Sequence, residues 1–289
     1  MGIFIGANKS TPLGIDKAYV GNDLIYQSGP NIVAKLTPTA GVTYSTDISD
    51  WTPEDMKLIS GTISNNADIT SDTSIVYVDW DNRYYKLSCE QNVYTTKSMT
   101  LSGTSYLFTI LGFNHDNLAI PEYYGKVTNT NKAGITWSMI NTMTNSSNMN
   151  DTNTNVNGWE GCKMRTETIS NIYSNFEYKN SCAPVIKQTS AGNTSSTIKT
   201  TTETLFLLSE IEIFGTLAQS FAGEGSQYKW YKNQNTKKKT IHNQTGFIYY
   251  WERSPGKANT LVFCYVTQNG TASSNGASNP YYPSYSFCS

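Results

Sequence analysis

Two short apolar runs bounded by polar or turn residues most constrain this chain: Tyr106-Leu107-Phe108-Thr109-Ile110-Leu111-Gly112 and Thr260-Leu261-Val262-Phe263-Cys264-Tyr265-Val266. Runs of this length and type are expected as buried strands. Around them lie further strand signals. Ile75–Trp80 and Tyr84–Leu87 flank Asp81-Asn82-Arg83 as a hairpin, and Gln268-Asn269-Gly270-Thr271 is a hairpin turn carrying the Asn-Gly dipeptide. Asn279–Phe287 alternates aromatic and small residues and is expected to return to the sheet, while residues 31–50 read as extended. Helices are few. Before Met56-Lys57-Leu58-Ile59-Ser60, Thr52 can cap, Pro53 suits the first helical position and Asp55 completes a capping box. Ile169, Ile172, Tyr173 and Phe176 share one helical stripe, which predicts an amphipathic helix over 166–176. Few helices, many short strands and long polar loops describe an α+β domain with a twisted antiparallel sheet.

Composition sets the kind of surface. Of 289 residues only 15% are charged, and 21 basic against 22 acidic side chains leave the net charge at −1. No basic face for nucleic acid or anionic lipid is implied. Aromatic residues make up 12%, with 20 tyrosines among them, and Asn, Ser and Thr fill much of the rest. Tyrosine offers large contact area with few rotors to freeze, so such a surface suits adhesion or carbohydrate recognition. A β-rich extracellular or virion protein with no special surface fits the same composition. The start Met1-Gly2-Ile3-Phe4-Ile5-Gly6 lacks the basic and long apolar parts of a secretory signal, no stretch reaches bilayer-spanning length, and Gly2 with Ser10 does not match myristoylation spacing. The five cysteines, Cys89, Cys162, Cys182, Cys264 and Cys288, are odd in number and scattered without a CxxC pair. Neither a disulfide framework nor a structural zinc site is expected, which fits assembly in a reducing cytoplasm followed by release on lysis.

Ile3-Phe4-Ile5-Gly6 and Ala18-Tyr19-Val20-Gly21-Asn22-Asp23-Leu24-Ile25-Tyr26 are similar short apolar units, followed by the linker signal Ser28-Gly29-Pro30-Asn31. Residues 1–30 are therefore expected as a small β module for attachment or trimerisation, or as edge strands of the main domain. Residues 31–289 form that main domain, with a possible sub-boundary near residue 90.

The second half of the chain carries an ordered string of motifs: Asn157-Gly158-Trp159, Met164-Arg165, Leu205-Phe206-Leu207-Leu208-Ser209-Glu210-Ile211-Glu212-Ile213-Phe214-Gly215, Gly223-Glu224-Gly225-Ser226-Gln227-Tyr228 and Trp251-Glu252-Arg253-Ser254-Pro255. Their order and spacing resemble an uncharacterised domain family of Firmicutes and of the tail genes of their phages. That family looks like a branch of the C-type-lectin-like superfamily, which also holds formylglycine-generating enzymes and variable phage receptor-binding proteins. The resemblance spans roughly residues 47–289 and implies a lectin-like fold. Trp159, Arg165, Glu212, Glu224, Trp251 and Arg253 are the shared residues. An Arg near a Trp and a Glu can serve a ligand, or can hold loops together through bidentate and carbonyl contacts; the second role is favoured.

Several constellations could carry chemistry. Glu210 and Glu212 would share a face on a strand and suggest a glycosidase pair. The pattern Ser209-Glu210-Ile211-Glu212 with Gly215 reads instead as a capped short helix whose two carboxylates point apart. His115-Asp116 could be a base and its orienter, but no Ser or Cys in a recognisable nucleophile elbow accompanies it, and neighbours on a strand face opposite ways. His115 is expected as a loop residue bonded to backbone. Asp79-Trp80-Asp81-Asn82 lacks calcium-loop spacing. The Glu-Pro-Asn and Gln-Pro-Asp signatures of calcium-dependent sugar binding are absent, and the spacing of Cys264 and Cys288 departs from that of formylglycine-generating enzymes. No cofactor, no metal and no catalysis are expected.

In the tail, Asn275, Ser278, Asn279, Tyr281, Tyr282, Ser284 and Tyr285 combine rigid aromatics with adaptable amides and hydroxyls. Asn275, Asn279, Tyr281, Tyr282 and Tyr285 are the predicted ligand-binding residues. The resulting expectation is a virion tail or baseplate protein of a phage or prophage with a Gram-positive host. It would dock onto other tail proteins through its N-terminus, form a homo-oligomer (a trimer favoured), and bind cell-wall glycan or a surface protein, without nucleic acid or membrane insertion. A virion glycan-processing enzyme using Glu210, Glu224 and Asp116 is the alternative, and a decoration protein without a host ligand is a third reading.

Overall fold

The computed structural model describes the backbone of residues 17–20 and 23–27, and residues 31–233 and 237–289 in full. Ile3-Phe4-Ile5-Gly6 and the Gly21-Asn22 turn lie outside the described residues. β1 (Lys17–Val20) and β2 (Asp23–Gln27) pair antiparallel as a two-stranded sheet of their own.

β3 (Ile32–Lys35), β4 (Ile75–Trp80) and β5 (Arg83–Ser88) form an antiparallel sheet in that order. The β4–β5 hairpin turns through Asp81 and Asn82 at φ 45° and 67°, which short polar side chains tolerate better than most. Between β3 and β4 lies helix α1 (Pro53–Ser64), which starts as its capping signals predict. Thr52 Oγ1 accepts from the Asp55 amide at 3.2 Å, and Asp55 Oδ2 accepts from the Thr52 amide at 2.9 Å. The helix outruns the predicted stretch because Ile63 continues the buried row begun by Met56 and Ile59.

The main sheet is built on β6 (Thr96–Leu101), β7 (Thr104–Phe113) and β8 (Ile135–Met139). Phe108 pairs with Met139 and Ile110 with Trp137, and a bulge between Ile110 and Gly112 shifts the register by one residue, so that Phe113 meets Ile135. Gly134, at the entrance to β8, lies so close to α1 that a Cβ there would sit 2.0 Å from the Ser60 carbonyl oxygen. Only glycine lets the helix approach this strand.

The predicted amphipathic helix opens as a π-helical turn over Met164–Ile169 and continues as α2 (Ser170–Ser174). Ile169 and Phe176 are buried, and Ile172 and Tyr173 pack half-buried against the same core. A long hairpin follows, β9 (Val185–Gly192) with β10 (Ser195–Glu203). Then come the short helices α3 (Glu210–Phe214) and α4 (Lys229–Lys232). β11 (Tyr250–Pro255), β12 (Val262–Val266) and β13 (Ala272–Gly276) complete a second three-stranded sheet. β12 begins two residues later than its apolar run, because Asn259 Oδ1 accepts from the Leu261 amide at 2.8 Å and turns Leu261 outward. Finally β14 (Ser286–Cys288) returns to pair with β8, Phe287 opposite Trp137. Phe287 lies 5.7 Å from Phe108 and 5.1 Å from Phe176, ring centre to ring centre. One buried core runs from Ala34 to Cys288.

The architecture is α+β: several small antiparallel sheets joined by long loops, with few and short helices. Among the described residues no helix is long and apolar enough to cross a membrane.

Candidate functional site

α3 carries the cap that its sequence predicts. Ser209 Oγ accepts from the Glu212 amide at 3.4 Å, Glu212 Oε2 accepts from the Ser209 amide at 3.0 Å, and Gly215 closes the helix at φ 71°. The two carboxylates point apart, as expected. Glu210 turns to the loop after α3, where the amides of Ala218, Gln219 and Ser220 and the Ser220 hydroxyl all donate to it. Glu212 turns the other way, to Arg253 on β11 and Lys187 on β9.

A buried ion network grows from that junction. Arg253 donates to both oxygens of Glu212, with Nη2 3.0 Å from Oε1, and its remaining donors reach the carbonyls of Leu207, Gln188 and Glu224 and the Thr189 hydroxyl. These contacts tie the surrounding loops together. Lys187 donates to Asp116, to Glu212 Oε1 at 3.0 Å and to the Tyr228 hydroxyl at 2.7 Å. Asp116 Oδ2 also accepts from Tyr228 at 2.8 Å, Thr136 at 2.8 Å and the Cys288 thiol at 3.2 Å. Burial opposes the charge on Asp116 and Glu212. The cations outweigh it, Lys187 for Asp116 and Arg253 for Glu212, so both carboxyls titrate below their ordinary range.

Glu224 is different. Burial pushes it up to about 7, against the Ser190 amide that donates to Oε1 at 2.8 Å and the Ser254 hydroxyl on Oε2. Glu252, next to Arg253 in β11, is fully buried with neither oxygen hydrogen-bonded, and burial together with Glu210 and Glu224 drives it far above the usual carboxyl range. Each carboxylate of the alternative enzymatic reading, Glu210, Glu224 and Asp116, is thus bonded to internal partners. Asp79, the candidate calcium contact, is bonded to Lys35, Thr39 and Tyr44.

Above the network opens a polar cleft of about 300 Å³, lined in part by His115, Lys187, Glu212, Glu224, Ser226 and Arg253. Here one expectation is corrected. His115 Nε2 does not bond to backbone; it lies 3.1 Å from the Ser226 hydroxyl. His115 does lie beyond the strand, where Asn114 takes a left-handed φ of 43° and donates to the Ile63 and Ile69 carbonyls. That kink ends β7 and lets His115 and Asp116 both turn toward the cleft.

The other motif residues lie elsewhere. Trp159 Nε1 and Arg165 Nε both donate to Glu203 Oε1, at 3.0 and 2.6 Å, and fasten the Trp159 loop to β10. Trp251 donates to the Ser147 carbonyl at 2.8 Å and presents its ring to Tyr281, 4.8 Å away. Lys187, Glu203 and Tyr228 were not among the predicted site residues. Lys187 was detectable as a polar residue between Val185 and Thr189 on the inward face of β9.

The predicted ligand-binding residues divide. Tyr281 sits in a ring cluster with Trp251, Tyr265 at 4.8 Å and Tyr249 at 5.3 Å, and Asn275 donates to its hydroxyl at 2.5 Å. Asn275, Asn279, Tyr281 and Tyr282 are half-buried, and Asn279 donates to the Gly276 carbonyl. Tyr285 is corrected: it is fully buried, its amide facing the Met139 sulfur, so it can touch no receptor. The tail there has already turned inward to place β14 in the main sheet. Tyr249 and Tyr265, which complete the cluster, lie far from the tail in sequence.

Residues 128–282 match the family described as a domain of unknown function, DUF6273. The matched span holds all the motif residues and Ser226, but not His115 or Asp116. No curated protein and no solved structure matches the chain.

Proposed function

We propose, for a chain that belongs to the DUF6273 family, that it binds a host cell surface through the rings of Tyr249, Tyr265 and Tyr281, which the buried Trp251 backs from beneath. The observation that carries this reading is the cluster itself: neighbouring aromatic rings, in part open to solvent, framed by the Asn275 amide and the Tyr281 hydroxyl. Ring faces offer apolar contact to a sugar or side chain, and the amide and hydroxyl supply directional bonds. The ligand is cell-wall glycan or a surface protein of a Gram-positive host. The carrier is a phage or prophage tail or baseplate, residues 1–30 are its attachment module, and the main domain is lectin-like; motif resemblance and uncharged, tyrosine-rich composition support these parts. Weak single contacts would be compensated by several copies on one particle.

The test is sedimentation of the purified chain with Gram-positive cells or purified walls, comparing wild type with Tyr281→Ala and Tyr249→Ala. Tyr281→Ala should weaken binding about tenfold or more, equivalent to about 1.4 kcal/mol, with an unchanged far-UV spectrum. Equal binding by wild type and both variants refutes this surface. No binding of wild type to any wall preparation refutes the attachment reading.

A further inference from the structure

We propose that the polar cleft above the ion network is a hydrolytic site for small acyl esters, in which Ser226 is the nucleophile and His115 its base. This goes beyond the binding reading and rests on different residues.

The geometry has the parts that acyl transfer needs. Ser226 Oγ stands 3.1 Å from His115 Nε2, within reach for proton transfer, and Ser226 is exposed to solvent at the cleft mouth. The imidazole is held in place. It stacks on Tyr228 at 4.0 Å between ring centres, with only 7% of the side chain exposed. Its Nδ1 is buried and has no hydrogen-bond partner; the nearest anionic atom is Asp116 Oδ1 at 3.5 Å. A proton on Nδ1 faces that carboxylate, so the favoured neutral tautomer leaves the Nε2 lone pair toward Ser226. Asp116 in turn is fixed by Lys187, Tyr228, Thr136 and Cys288, so the negative charge that faces Nδ1 stays in place. The logic is that of nucleophile, base and orienting carboxylate, reached here from residues 115, 116 and 226.

The loop that presents Ser226 is equally specific. Gly223 and Gly225 sit at φ 100° and 116°, a backbone that side-chain-bearing residues rarely adopt. Glu224 between them is pinned from below by Ser190 and Ser254. Among the described residues the amides of Gly225 and Ser226 donate to no acceptor. They are free to receive the negative charge that develops on an ester carbonyl oxygen.

The step balances with water as the only co-reactant. Ser226 Oγ bonds to the ester carbonyl carbon while its proton passes to His115 Nε2. The tetrahedral adduct expels the alcohol, which takes that proton, and leaves an acyl ester on Ser226. Water then attacks this ester and gives its proton to His115. Collapse releases the carboxylic acid, and the proton returns to Ser226. A polar cleft of about 300 Å³ suits a small acyl group on a hydrophilic alcohol.

The full chain would be incubated with a fluorophosphonate probe and, separately, with p-nitrophenyl acetate. The expected result is a phosphonyl adduct mapped by mass spectrometry to the peptide bearing Ser226, and ester turnover that Ser226→Ala reduces to the buffer rate. Ser226 is exposed, so that variant should melt as wild type does. His115→Asn should lower turnover at least about a hundredfold and slow adduct formation alike. No adduct on Ser226, or turnover unchanged in Ser226→Ala, overturns the proposal. Ester turnover and sedimentation with cell walls are read on the same preparation, so loss of one without the other shows that the two sites fail separately.

Discussion

Glu224 gives the sharpest quantitative prediction. Its carboxyl is carried from the usual 4.5 to about 7, chiefly by burial. At about 1.4 kcal/mol per pH unit, the difference corresponds to about 3 kcal/mol. The sign follows from proton counting. Between pH 4.5 and about 7 the folded chain keeps a proton that the unfolded chain has lost, so Glu224 contributes stability that is full below 4.5 and lost as pH rises through about 7. Glu224→Gln removes the titration and keeps the bonds: the amide oxygen accepts from the Ser190 amide, and the amide nitrogen donates to Ser254. Urea unfolding of both proteins at pH 4.5, 6 and 8 reads the difference, in which groups remote from Glu224 cancel. The variant should gain about 3 kcal/mol relative to wild type between the ends of that range. Parallel stability curves for the two proteins would show that Glu224 is charged in the fold and that the burial argument fails.

Two further perturbations follow from buried cations. Arg253→Met strips Glu212 of its bidentate partner and leaves three carbonyls without this donor, so urea unfolding should show a loss of about 3–5 kcal/mol. Lys239 is buried, bonded to the Met139 carbonyl and the Ser284 hydroxyl, and burial lowers it to about 7. Its penalty is full below that pH and relieved as pH rises toward 10.5, so any thermal stabilisation by Lys239→Met should shrink over that interval; a gain independent of pH would contradict this assignment.

What was legible in the sequence was local. The capping boxes at Thr52–Asp55 and Ser209–Glu212 and the β4–β5 hairpin each depend on residues a few positions apart. The ion network does not. Lys187 meets Asp116 across 71 positions and Tyr228 across 41, and nothing near Lys187 announces either partner. His115 and Ser226 are separated by 111 positions, and they meet only because Asn114 adopts a conformation that strand periodicity cannot express. Tyr285 was misread for a related reason. Alternation marks which residues share a face, but burial of that face depends on β8, about 150 positions upstream.

The pairing of β14 with β8 also orders events in time. β6, β7 and β8 can zip together from neighbouring sequence, but one flank of β8 then stands bare, and Phe108 and Phe176 lack Phe287. A ribosome must more than double the chain made by the end of β8 before that flank is covered. Until then the nascent chain presents an open edge beside apolar rings, so maturation is slow and vulnerable to clumping between unfinished copies.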